Sequence, residues 1–135
     1  MDAKEYLSQA FVMDRRIKAK ETQLDALKEH VPYTGPVYGD VKVDSNKVHS
    51  AVEYSAVRLV SLSDEIKEDI AELAEKMKEI QRTIRRLDNS EMEVILEMRY
   101  LSFMSWEKII DRMGYSPRYV FKMHSAALRR IKNFI

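Results

Sequence analysis

From Ser45 to Leu87 the chain has neither glycine nor proline, and apolar or small residues return every three or four positions: Val48, Val52, Ser55, Leu59, Leu62, Ile66, Ile70, Leu73, Met77, Ile80, Ile84 and Leu87. An α-helix needs that period to present a continuous apolar stripe, so the run predicts one long helix starting at Asp44 or Ser45 and ending near Leu87. Such a helix is not stable alone in water, and its stripe must meet another. Fours and threes alternate except at Leu62, Ile66 and Ile70, where two fours meet; a stutter of this kind locally unwinds a left-handed supercoil.

The N-terminal segment supplies a matching stripe. Asp2 and Glu5 have capping-box spacing, and Ala3, Tyr6, Ala10, Met13, Ile17, Lys20, Leu24, Leu27 and Val31 follow in heptad-like steps, with Lys20 the one strongly polar interruption. A helix is predicted over 3–31, ended by Pro32. Residues 32–44, PYTGPVYGDVKVD, gather two of the three prolines and two of the three glycines and read as a loop, either a short β-like tongue or a segment folded back on the helices. The two helices then form an antiparallel hairpin. The second outlasts the first, so Ile80, Ile84 and Leu87 need cover from the C-terminal segment or from a second copy of the chain. A homodimer through this helical stalk is the expectation.

After Leu87 the sequence Asp88-Asn89-Ser90 breaks the pattern, and Ser90 with Glu93 makes a second capping-box spacing. The helix that follows carries Met92, Ile95, Leu96, Met98 and Tyr100 to a turn at Leu101–Met104. Ser105 can cap the next helix, whose apolar face is Trp106, Ile109, Ile110 and Met113, and Gly114 can end it with positive φ. Ser116 can cap a last helix with Pro117 at its first position, where a missing N–H costs nothing. That helix is expected to bury Val120, Met123, Ala127, Leu128 and Ile131 and to turn Arg118, Tyr119, Phe121, Lys122, Ser125 and Arg129 outward. The chain is therefore expected to be all-α: a long, coiled-coil-like hairpin over 1–87, with its loop at 32–44, followed over 88–135 by a three-helix head containing a helix-turn-helix.

Composition narrows the chemistry. There is no cysteine, which removes disulfides, thiolate metal sites and thiol nucleophiles. His30, His49 and His124 form no ligand pattern, and no nucleophile elbow or glycine-rich phosphate loop is present, so neither an enzyme nor a cofactor or metal is expected. No apolar run reaches the length of a membrane span, and the opening MDAKEYL lacks the basic-then-apolar order of a signal peptide, so a cytoplasmic location is expected. The net charge is +1, but its distribution is uneven. From Ser116 onward there are Arg118, Lys122, Arg129, Arg130 and Lys132 and no acidic residue, whereas Asp64 to Glu79 is strongly acidic. A basic outer face on the second helix of such a pair is the pattern that contacts DNA phosphates and base edges.

The run from Glu93 to Ile131, EVILEMRYLSFMSWEKIIDRMGYSPRYVFKMHSAALRRI, resembles region 4 of sigma-70 family transcription initiation factors, which reads the −35 promoter element. The resemblance rests on Met98-Arg99-Tyr100, on Ser105 to Ile109, on the Met113-Gly114-Tyr115-Ser116 turn and on Ala127-Leu128-Arg129-Arg130-Ile131. It implies contacts to bases and phosphates near the start of the last helix, at Pro117, Arg118, Phe121 and Lys122. Sigma factors typically carry Arg, Glu, Arg and Gln at those four positions, so their hexamer specificity does not transfer. Ile110 also departs from the small residue usual there. The chain as a whole is similar to small prophage proteins of Gram-positive bacteria, some of whose relatives activate late phage transcription.

The resulting expectation is a phage-type transcriptional regulator that reads double-stranded DNA with Ser116, Pro117, Arg118, Tyr119, Phe121, Lys122, Ser125 and Arg129, with contact to RNA polymerase as a second partnership. Two alternatives stay open: an adaptor that docks on RNA polymerase without touching DNA, and a small-terminase-like packaging component.

Overall fold

The computed structural model describes residues 1–30 and 45–135, the side chains of 45–49 excepted. Val31 and the loop expected over 32–44 lie outside the described residues. The elements in order are α1 (Ala3–Leu7), α2 (Gln9–His30), α3 (Ser45–Arg85), α4 (Ser90–Leu96), a π-helical turn (Glu97–Leu101), α5 (Trp106–Met113), α6 (Pro117–Ile131) and a closing 3₁₀ turn (Lys132–Phe134). The described residues are all-α. They fall into two compact units, one of Met1–Asp14 with Glu72–Ile135 and one of Arg15–Ala71.

The N-terminal helix starts as its sequence dictates. The Asp2 carboxylate accepts from the Glu5 backbone N–H at 2.7 Å, and Glu5 reaches back to the Asp2 N–H at 3.4 Å. It is not one uninterrupted helix from residue 3, however. Ser8, with ψ near −4°, ends α1, and the Gln9 side-chain amide donates to the Tyr6 carbonyl at 3.0 Å, taking up an acceptor that the break leaves partly free.

Within the unit of Arg15–Ala71, Ile17, Leu62 and Ile66 are buried. Lys20, the polar interruption of the first stripe, donates to Asp69 at 2.6 Å. The carboxylate bond is the main reason the ammonium holds its proton more tightly than usual. Ile70 departs from expectation, being 49% exposed. The stripe of α3 passes instead through Asp69 to the half-buried Leu73 and Met77, so the two consecutive fours fall at Asp69, Leu73 and Met77. A single polar position on one helix is thus answered by one on the other.

In the other unit, α1 lies against the end of α3, with the Tyr6 hydroxyl 2.9 Å from Thr83 Oγ1 and donating to Glu79 at 3.2 Å. Ile80 and Ile84, fully buried, and Leu87 join Ala3, Leu7, Ala10, Met92, Leu96, Tyr100, Ala127 and Ile131 in one core. The stripe that called for cover is therefore met by α1 and the C-terminal helices of the same chain. A smaller cluster of Ile95, Ile109 and Val120 sits between α4, α5 and α6, with Ile110 half-buried at its edge.

Two chain reversals link α3 to α5. After Arg85 the helix tightens through i→i−3 bonds, Arg86 to Thr83 and Leu87 to Ile84, and Asp88 then takes φ 50°. The cap of α4 is Asn89, one residue earlier than its spacing suggests: Asn89 Oδ1 accepts from the Met92 N–H at 3.1 Å, and Glu93 accepts from the Asn89 N–H at 3.0 Å. Ser90 is instead the first helical residue, because only Asn89 has the extended backbone that a cap needs.

Because Ile84 is fully buried where α1, α3 and the C-terminal helices meet, Ile84→Ala should destabilise the protein by about 2–5 kcal/mol. Chemical denaturation monitored by helical circular dichroism should show a lower midpoint with an unchanged slope.

Candidate nucleic-acid interface

The most basic described element is α6. Ser116 Oγ accepts from the Tyr119 N–H at 3.2 Å, Pro117 occupies the first turn, and no acidic residue lies between Ser116 and the chain end. Val120, Ala127 and Ile131 are fully buried, which fixes the rotation of the helix about its axis. Arg118, Lys122, Ser125 and Arg129 follow one another at spacings of four, three and four, so they form one exposed stripe along a helix roughly 22 Å long. Among the described residues none of these four side chains takes an ion pair or a hydrogen bond.

The other expected contact residues have partners of their own. Ser116 is occupied as the cap. The Tyr119 hydroxyl donates to Glu91 Oε2 at 2.7 Å, and Tyr115, whose ring lies 4.8 Å from that of Tyr119, donates to Glu91 Oε1 at 2.7 Å. These bonds, that from Tyr119 foremost, hold the Glu91 carboxyl below its ordinary range, and hydrogen bonding to Glu91 pushes both phenols up. The clasp ties the turn before α6 to the first turn of α4. Phe121 packs on Trp106 at 5.1 Å between ring centres and is 43% exposed, so its outer edge flanks the basic stripe.

The preceding helix is positioned by equally local chemistry. Ser105 Oγ accepts from the Lys108 N–H at 3.3 Å, and Gly114, at φ 72°, ends α5 with its N–H on the Ile110 carbonyl. A side chain at Gly114 would meet no steric obstacle, so the left-handed backbone alone is the reason for glycine. The π-helical turn before α5 carries Arg99, whose guanidinium donates to the Met104 carbonyl at 3.0 Å and lies 5.0 Å from the centre of the Trp106 ring. Phe103, between them, adopts φ 56°, a strained conformation for a bulky residue. Its ring, edge-on to Phe11 at 5.7 Å, anchors that conformation in the core.

His124 completes the packing behind the stripe. Its Nε2 lies 2.8 Å from the Tyr100 hydroxyl, and its ring meets Trp106 edge-on at 4.6 Å. Burial, followed by the nearby charges of Lys4 and Arg99, pushes its pKa down to about 4. The neutral imidazole is thus part of the fold. The sequence does not show the parts that Glu91, Arg99 and His124 play in holding these helices. The Tyr115–Tyr119 spacing of four was visible, but the carboxylate they share lies more than twenty residues upstream.

No group of His, Cys, Asp and Glu among the described residues could hold a metal ion, and no described helix is long and apolar enough to cross a membrane.

Because the folded state holds His124 neutral down to about pH 4, whereas the unfolded chain protonates it near 6.5, its contribution to stability is complete above 6.5 and is lost as pH falls toward 4. His124→Gln keeps an acceptor for Tyr100 without titrating, so thermal unfolding should show a shallower fall in Tm over that window than in the parent.

Over residues 33–132 the chain matches the model of a family described as protein of unknown function (DUF1492). No curated protein matches it, and no solved structure does.

Proposed function

The chain belongs to the DUF1492 family, and from the geometry of α6 we propose that it is a phage-type transcriptional regulator that binds duplex DNA. In this reading α5 and α6 act as a helix-turn-helix with α6 lying in the major groove, as the likeness to sigma region 4 implies. The observation that carries it is the stripe of Arg118, Lys122, Ser125 and Arg129, exposed along one face of a helix that has no acidic residue. Arg118 and Lys122, nearest the capped N-terminus, take base edges or flanking phosphates, and Arg129 takes phosphate. Pro117 presents the helix start, and the exposed edge of Phe121 reaches thymine methyls. The Glu91 clasp makes Tyr119 a support for the turn rather than a free contact. RNA polymerase is the second partner in this reading.

A homodimer belongs to it as well. Val57 and Val60, 70% and 62% exposed, lie on the side of α3 away from the buried Leu62 and Ile66, with Tyr54 beside them at 72%. Light scattering should give twice the chain mass; a monomer would remove this part, and a ring-sized mass would favour a packaging component. The same exposed face supports a second reading, an adaptor that docks on RNA polymerase through protein contacts alone.

Arg118→Ala combined with Lys122→Ala should abolish retention on duplex DNA, or weaken it by at least tenfold, while helical circular dichroism is unchanged. Equal affinity of variant and parent for a fragment selected from phage and host DNA would remove α6 from the groove. Failure of the parent to bind any duplex at low salt would favour the adaptor.

A further inference from the structure

A second basic surface lies at the end of α3. Between Glu79 and Asp88 the chain carries Arg82, Arg85 and Arg86 and no acid, and all three are exposed. The acid upstream, Glu79, accepts from Lys76 and from the Tyr6 hydroxyl. Arg82 and Arg85 take no ion pair or hydrogen bond among the described residues. Arg86 lies over the Phe134 ring, 4.4 Å from its centre, and Arg130 of α6 donates to the Leu87 carbonyl at 3.4 Å. These two contacts bring the end of α3 against the end of α6, where Arg129 and Lys132 are exposed. Arg82 and Arg85 lie within about one helical turn of Arg86, on the approach to this junction.

We infer that Arg82 and Arg85 form a phosphate-binding surface that extends the DNA footprint beyond α6 onto the end of α3. This rests on the DNA-binding reading of α6. A helix seated in a groove about 12 Å wide is flanked by phosphate backbones, and cations beside its C-terminal end meet backbone rather than base edges. Arginines that take no ion pair among the described residues suit that role, because each phosphate neutralised releases a counterion. The surface contributes affinity without sequence preference. Arg86 and Arg130 belong to the packing of this corner, so their loss would mix charge with stability, whereas Arg82 and Arg85 can be changed at the surface.

The full chain, the double variant Arg82→Ala/Arg85→Ala and the double variant Arg82→Lys/Arg85→Lys are titrated against a fluorescent random-sequence duplex between 50 and 200 mM salt. Two lost phosphate contacts lower the salt slope by about 1.8, so the parent should lose about twelvefold more affinity than the alanine variant over that range. The lysine variant should restore the parental slope, since counterion release follows charge. A parental slope in the alanine variant, with the parent itself binding in a salt-dependent way, overturns this inference alone and leaves the surface to an acidic protein partner. Lysine variants as flat as the alanine ones also overturn it. A parent that binds no duplex overturns the DNA-binding reading and this inference together.

Discussion

Ile80, Ile84 and Leu87 carry the apolar stripe of α3 past the point where a simple two-helix pairing needs it, and the head is organised around their burial. Ala3, Leu7 and Ala10 cover them from the N-terminal helix, while Met92, Leu96, Tyr100, Ala127 and Ile131 cover them from the C-terminal segment. Full burial of an aliphatic side chain stabilises by about 1.5–3 kcal/mol. Ala3 and Ile131, 128 positions apart in the sequence, thereby enter one core. A head of 48 residues would bury too little by itself, and α1 with the end of α3 supplies what it lacks.

Polar contacts then set orientation within this core. Arg99 fastens the Phe103–Ser105 turn to Trp106, the Tyr100–His124 pair locks α6 against the π-helical turn, and Glu91 draws Tyr115 and Tyr119 toward α4. Each is satisfied within the fold, and no buried side-chain polar atom among the described residues lacks a partner. These contacts leave Arg118, Lys122, Ser125 and Arg129 exposed and without a side-chain hydrogen bond or ion pair among the described residues. With Tyr119 held on one flank and Phe121 seated on Trp106 at the other, the exposed strip of α6 is almost wholly basic.

Much of this architecture was legible because its signals are local. Helix starts at Asp2, Ser105 and Ser116 follow from side chains that accept a backbone N–H three residues on, Gly114 permits a positive φ and Pro117 fixes φ at its own position. The buried face of α6 followed from period alone, since Val120, Ala127 and Ile131 share a side of any α-helix. At two places local signals tie. Asn89 and Ser90 are both good caps, and the extended backbone that makes Asn89 the cap is not encoded by their side chains. Ile70 looks like a better stripe residue than Asp69 until Lys20 is placed opposite.

The sequence by itself determined that the chain is helical, where its turns fall and which residues of the last helix face outward, because caps, prolines, glycine φ and helical period act over a few residues. Tertiary structure alone decided what covers Ile80, Ile84 and Leu87, which carboxylate holds Tyr115 and Tyr119, and that Arg86 and Arg130 bring the ends of α3 and α6 together. Those outcomes join residues 24 to more than 100 positions apart. They depend on which surfaces exclude water together, and no local spacing encodes that.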